Sequence, residues 1–317
     1  MSKARELSQR AGVDGALSNR NKVINGSFLV WQRSDNAYNG GGGAYVSADR
    51  FMATRGRIRK PNTNGHSGED NTGAVFDCTD GNVYVHFDYF IEDIGQKLNG
   101  KTMTLSFKMK SLTGVTESLY YEQSGVDYFD IGGNTTLTVP TEWTTFKFTG
   151  TVVSTGHVGG IHLPRWYMNP TGNASSKMIQ IDEIQFEEGD KDTPFEHRSY
   201  GQELSLCQRF FWTKRPANGE NVVGFGRWEF ALSYIYVEFP VPMRVPPTIS
   251  ADTTGMQTVE PSVVWYDCTS LSYVHKNGLL SADIAFNNSG SGTNKGTALV
   301  AFNSAGGKVD FDAELYG

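Results

Sequence analysis

Met178-Ile179-Gln180-Ile181-Asp182-Glu183-Ile184-Gln185-Phe186 alternates apolar and polar side chains, the two-residue period of a strand with one buried face. Gly189-Asp190-Lys191-Asp192-Thr193-Pro194-Phe195-Glu196-His197-Arg198 follows, with turn formers and a proline that end the strand. Leu204, Cys207 and Phe211 then recur at three- and four-residue spacing, the period of a short amphipathic helix. The run therefore reads as strand, turn, extended crossing and helical hinge, and it separates two β-rich modules. The expected segments are residues 1–21, a first β-domain over 22–198, the hinge over 199–214 and a second β-domain over 215–317.

Working back from this junction, Thr102 to Met109 alternates cleanly, with Met103, Leu105, Phe107 and Met109 on one face. Trp143 to Phe148 does the same, Val83 to Phe90 does so more weakly, and Phe28-Leu29-Val30-Trp31 is an apolar run. Asn39-Gly40-Gly41-Gly42-Gly43 reads as a flexible loop, Lys60 to Thr72 as a long surface loop, and Ile91 to Leu98 as one helical turn. Short strands between glycine turns predict an antiparallel jelly-roll sandwich. Forward of the junction, Val222–Gly226, Tyr234–Phe239, Val263–Tyr266 and Asp310–Tyr316 read as strands of a second small β-sandwich. Val241 to Ile249 is stiffened by prolines that cannot donate to a ladder, so it belongs at an edge or between strands. The fold class expected is all-β.

Composition narrows the function classes. Charged residues are 20% and hydrophobic ones 38%, a globular balance, and 36 glycines with 33 phenylalanines and tyrosines favour β-structure with tight turns. A formal charge of −6 argues against a general nucleic-acid binder, which needs basic surface to neutralise phosphates. No run has the length of a transmembrane helix, and the polar start lacks an apolar secretion core, so neither membrane insertion nor export by a signal peptide is expected. Cys78, Cys207 and Cys268 have no zinc-like spacing and read as buried free thiols, which fits a protein made in a reducing cytoplasm.

Catalytic motifs are missing. There is no Gly-x-Ser-x-Gly elbow, no His-Glu-x-x-His and no phosphate-cradling glycine loop with its lysine. The acidic pairs Glu92-Asp93, Asp182-Glu183 and Glu187-Glu188 are sequence neighbours, which a strand points to opposite faces, so none is arranged to flank one sugar. No catalytic residue and no cofactor is expected. Exposed aromatics offer another chemistry, since sugar C–H faces stack on rings. Trp166-Tyr167 and Tyr120-Tyr121 are the candidates in the first β-domain and Trp265-Tyr266 in the second, which also holds Trp228, Tyr234, Tyr236 and Tyr273.

Val23-Ile24-Asn25-Gly26-Ser27-Phe28, Trp31-Gln32-Arg33, Ala48-Asp49-Arg50-Phe51, Lys97 to Phe107, Trp143-Thr144-Thr145-Phe146 and the Thr193-Pro194-Phe195-Glu196-His197-Arg198 junction with its Cys207-Gln208-Arg209 helix occur in order. Together they resemble phage tail-fibre and host-adsorption proteins carrying a jelly roll of carbohydrate-binding-module type, over roughly residues 22–211. The resemblance implies a virion protein that attaches to a tail or baseplate protein by its amino-terminal segment, where Leu7, Val13 and Leu17 are the sizeable apolar groups. It also implies a homotrimer, with Leu204, Cys207 and Phe211 as seam candidates, and a host surface polysaccharide bound without turnover. A glycan depolymerase and a purely structural adaptor are the rival readings. Related jelly rolls hold a calcium through an acidic residue just after the Asn-Gly-x-Phe turn and an Asp in the last strand. Here Leu29 follows Phe28 and only Asp182 remains, so no metal is assigned.

Overall fold

A computed structural model describes residues 20–63, 68–78, 84–121, 128–154, 156, 158–162, 166–167, 177–216, 221–259, 264–290, 296–303 and 306–315. The chain divides into two compact units, Met1–Glu203 with Leu315–Gly317, and Leu204–Glu314. Both are all-β, as expected. The division falls inside the predicted hinge.

The first unit comprises β1 (Asn36–Ala44), β2 (Phe51–Arg59), β3 (Ala74–Cys78), β4 (Tyr84–Glu92), α1 (Ile94–Lys97), β5 (Thr102–Ser111), β6 (Glu117–Tyr121), β7 (Tyr128–Asp130), β8 (Thr135–Val139), β9 (Thr144–Val153), β10 (Val158–His162), β11 (Trp166–Tyr167) and β12 (Lys177–Glu188). A ten-stranded antiparallel sheet runs β10-β4-β2-β3-β12-β5-β9-β7, with β1 on β2 and β11 on β4, and β6 pairs with β8 separately. The β5 alternation is realised: Met103, Leu105, Phe107 and Met109 are fully buried, in one core with Leu119, Leu137 and Val139 of the β6–β8 ribbon.

Two local expectations are corrected and one is extended. The glycine run Asn39–Gly43 lies within β1, where the register with β2 shifts between Asn39 and Gly43; glycine tolerates such an irregularity in a ladder. Phe28–Trp31 is not a strand. Phe28 has φ 55°, and the Asn25 side chain stands in for a strand neighbour, accepting from Val30 N at 2.9 Å and donating to the carbonyls of Val30 (2.9 Å) and Asp49 (3.0 Å). The 60–72 loop is fastened to the polar side of the sheet where it is described. Glu69 is buried against Arg59, Lys110 donates to Gly68 O and Asp70 at 2.7 Å, and Gln180 donates to the Asp70 carbonyl at 2.8 Å. Buried polar side chains on β2, β5 and β12 need these partners, which is why an outwardly polar loop is drawn in.

The Phe195–Arg198 motif has a structural role. Glu196 accepts from Asn21 N at 2.8 Å, and Arg198 donates to the carbonyls of Asn21 and Val23 and lies 3.2 Å from Glu203. Glu203, 2% exposed, also accepts from Asn25 N at 2.8 Å. The junction thus clasps the Asn21–Asn25 segment, and Asn21 ties that segment to the Ile184 carbonyl of β12 at 2.9 Å. His197 packs edge-on against Phe195, 4.9 Å between ring centroids.

Helix α2 (Tyr200–Gln208) leads into β13 (Phe211–Lys214), β14 (Val222–Glu229), β15 (Leu232–Glu238), β16 (Thr248–Asp252), β17 (Met256–Val259), β18 (Trp265–Asn277), β19 (Ser281–Asn288), β20 (Gly296–Phe302) and β21 (Lys308–Asp312). Six strands close into a barrel, β14-β15-β19-β18-β17-β20, and β13-β21-β16 form a three-stranded sheet. The expected sandwich is therefore refined: one layer is a closed barrel, sharing a core with the small sheet through Trp212, Ile249 and Phe311 on one side and Val237, Ile284 and Val300 on the other. Closure leaves the barrel strands without free edges. At one end of the barrel interior, Ser233 donates to Thr258 (2.8 Å), Thr258 to Asn288 (3.0 Å) and Asn288 to Ser233 (2.8 Å), a polar ring joining β15, β17 and β19.

Candidate functional site

On a barrel strand, side chains alternate between interior and exterior. β14 shifts register between Val222 and Gly224; beyond that shift Trp228 points inward and is buried, as do Ile235 and Val237 of β15, so Phe225, Arg227, Tyr234 and Tyr236 point outward. Antiparallel register then sets Phe225 opposite Tyr236 and Arg227 opposite Tyr234. The next strand places Asp283 opposite Tyr236 and Ala285 opposite Tyr234, and β18 adds Tyr273 opposite Ala285. Two hairpins, β14–β15 and β18–β19, thereby assemble one outward aromatic face.

The face holds a groove of about 450 Å³ lined by Gly226, Arg227, Tyr234, Tyr236, His275 and Asp283. That volume falls in the range of small-ligand sites, about 300–1,000 Å³. Phe225 is 66% and Tyr236 57% exposed, so a directly paired Phe–Tyr platform faces solvent. Tyr234 is braced: the Arg227 guanidinium carbon lies 4.4 Å from its ring centroid, and Tyr273 meets it edge-on at 5.9 Å. Hydrogen bonding with Tyr234 is the first cause holding the Tyr273 phenol above its ordinary pKa. His275 Nδ1 stands 3.6 Å from Asp283 Oδ2. Gly226 is obligatory, since a Cβ there would lie 1.8 Å from the Tyr234 carbonyl oxygen.

Of the residues singled out from sequence, Trp265 and Tyr266 follow the alternation rule. Trp265 is 47% exposed, while Tyr266 turns inward and stacks on buried Trp228 at 5.1 Å. Neither lines the groove. Trp166 and Tyr167 form β11, paired with Val85 and Tyr84, and Tyr120 and Tyr121 end β6, paired with Thr136 and Thr135; these four side chains lie outside the described ones. Leu7, Val13 and Leu17 also lie outside the described residues. The proposed helical seam is corrected: α2 stops at Gln208, Phe211 opens strand β13, and Phe211 and Cys207 are buried by the chain itself. The apolar sequence Phe210-Phe211-Trp212 suits a core strand better than a third helical turn.

Phe225, Arg227, His275 and Asp283 were not among the residues singled out from sequence as site candidates. The alternation of β14 and β15 marks Phe225 and Arg227 as outward, but only strand pairing brings His275 and Asp283 to them. Among the described residues no group of three or more His, Cys, Asp or Glu side chains could hold a metal ion. No described helix is long and apolar enough to cross a membrane.

No family model and no curated protein matches the chain. Solved structures that it resembles include the enzymatically active domain of tailspike protein 4 of bacteriophage CBA120, at 16% identity and a TM-score of 0.31, covering 53% of this chain and 21% of that one. A carbohydrate-binding module in complex with β-1,4-galactotriose aligns at 17% identity and a TM-score of 0.31, covering 54% of this chain and 100% of the module. The family 11 carbohydrate-binding module of a cellulosomal cellulase of Clostridium thermocellum aligns at 14% identity and a TM-score of 0.29, covering 49% and 100%. The chain thus spans about a fifth of the tailspike's length and the full length of the two modules.

Proposed function

We propose that this chain is a tail fibre or tail-associated adhesin of a bacteriophage, binding a host surface glycan through the barrel groove without cleaving it. The observation that carries the glycan part is the juxtaposition, in one groove, of exposed Tyr236 with polar Arg227, His275 and Asp283, beside exposed Phe225, which pairs with Tyr236. Saccharides take this combination: C–H faces stack on rings while a few polar groups fix the hydroxyls. Glycoside hydrolysis uses two carboxyls facing each other across the sugar, about 5–10 Å apart. Among the described residues Asp283 is the one carboxylate lining the groove, 3.6 Å from His275. This favours binding over turnover.

The virion part rests on the sequence resemblance over residues 22–211. Residues 1–21, with Leu7, Val13 and Leu17, would dock on a tail or baseplate protein and place the chain in the virion tail. A trimer formed by such a fibre would use surfaces other than Cys207 and Phe211. The test is binding of the purified protein to host cells and to their extracted surface polysaccharide, with the polymer sized afterwards. Binding without shortening is expected; shortening would establish a depolymerase, and no binding would leave a structural adaptor.

A further inference from the structure

Arg227 stands out among the groove residues. Its side chain is 64% exposed, yet its guanidinium is held over the Tyr234 ring at 4.4 Å, and that ring is braced in turn by Tyr273. Its nearest counter-charge, Glu229, is 3.6 Å away, beyond hydrogen-bond length, and among the described residues the guanidinium makes no hydrogen bond. Loosely paired with Glu229 through one nitrogen, a cation so placed keeps its remaining donors available while much of its orientational freedom has already been removed. Asp283, the carboxylate that would oppose an anion in the same groove, faces His275 at 3.6 Å.

We infer that the groove reads an acidic saccharide, a polymer bearing a carboxylate on the sugar ring, with Arg227 as the residue that receives it. This rests on the groove being a saccharide site. A planar carboxylate matches the guanidinium fork through two parallel N–H···O bonds, a geometry that neither a hydroxyl nor a lysine reproduces. The sugar neighbouring the acid stacks on Tyr236 and Phe225, two residues along the same β14–β15 pair. Arg227 specifies the acid and the aromatic pair supplies the sequence-tolerant contact area.

The experiment measures retention of the purified full chain on immobilised polygalacturonate, alginate, hyaluronate and polysialic acid, each offered native and after reduction of its carboxyls to primary alcohols. A neutral galactan and a mixed-linked glucan complete the set. The expected result is retention on at least one acidic polymer, weakened about tenfold or more by carboxyl reduction and by Arg227→Gln, with Arg227→Lys intermediate. Equal retention of native and reduced polymer, or retention of the neutral polymers alone that Tyr236→Ala abolishes, overturns the acidic assignment while the groove remains a saccharide site. Retention untouched by both Arg227→Gln and Tyr236→Ala, or no retention of any polymer, counts against the inference and the reading it rests on together. Because Arg227 is exposed, an unchanged melting temperature in Arg227→Gln separates lost recognition from lost fold.

Discussion

Asp182 is a partly buried carboxyl at the irregularity where β12 shifts register against β5, and burial, with the Glu183 charge as a smaller cause, pushes its pKa up to about 6. Hydrogen bonds from the Glu183 N–H at 2.8 Å and from Thr72, and the charge of Lys108, oppose that rise without cancelling it. The folded value lies above the unfolded one of 3.8, so the folded state binds this proton more tightly. The group's contribution to stability is therefore complete below about pH 4 and lost as pH rises through about 6. A difference of about two pH units corresponds to roughly 3 kcal/mol as an upper bound. Asp182→Asn keeps an acceptor for the Glu183 N–H, leaves the Thr72 hydroxyl free to reorient, and never ionises. It should match the parent at acid pH and exceed it by roughly 1–3 kcal/mol at pH 7.5, raising the melting temperature by about 2–4 °C per kcal/mol in a unit of this size. Scanning calorimetry at pH 4.5, 6.0 and 7.5 reads this. The two units can melt separately, and the transition to follow is the one that Asn288→Ala leaves in place. A difference that does not change with pH, or a variant less stable than the parent at pH 7.5, would refute the reasoning.

Glu203→Ala should lower the stability of the first unit by about 1–3 kcal/mol, because it leaves the Asn25 N–H without its acceptor and removes one of two carboxylates beside the largely buried Arg198, and urea unfolding gives the value. Asn288→Ala breaks the barrel's polar ring and leaves Ser233 and Thr258 short of partners, at a cost of about 1–3 kcal/mol to the second unit's transition alone. Burial pushes the Cys268 thiol up to about 11, so peptide mapping after a thiol-reactive label at pH 7.5 should find Cys268 modified only in denaturant. Labelling of the native protein within minutes would contradict that environment.

Much of the fold could be read directly from the residues. The alternation in β5 and β12 places Met103, Leu105, Phe107, Ile179 and Ile181 on the core side, and these residues are buried. Period two is a local property, and a strand with one buried face displays it without its neighbours. Features that depend on distant partners were hidden. Asn25 reads as a turn residue, yet its side chain replaces a strand's hydrogen bonds for Val30, and Glu69 reads as loop surface although Arg59 draws it inside. Barrel closure likewise depends on β17 meeting β20, which no local pattern encodes. Tyr234, Tyr236 and Tyr273 were visible as aromatic supply. Their assembly with Arg227, His275 and Asp283 depends on the register of β14, β15, β19 and β18, which spread the site over residues 226–283.

The most direct test of the account is the affinity of Tyr236→Ala for whichever polysaccharide the parent retains, beside Trp265→Ala as another exposed aromatic outside the groove. Loss of a stacked ring should weaken binding by about tenfold in Tyr236→Ala, roughly 1–2 kcal/mol, and leave Trp265→Ala unchanged. Equal affinities for parent and Tyr236→Ala, or a loss confined to Trp265→Ala, would contradict the assignment of the barrel groove as the glycan site.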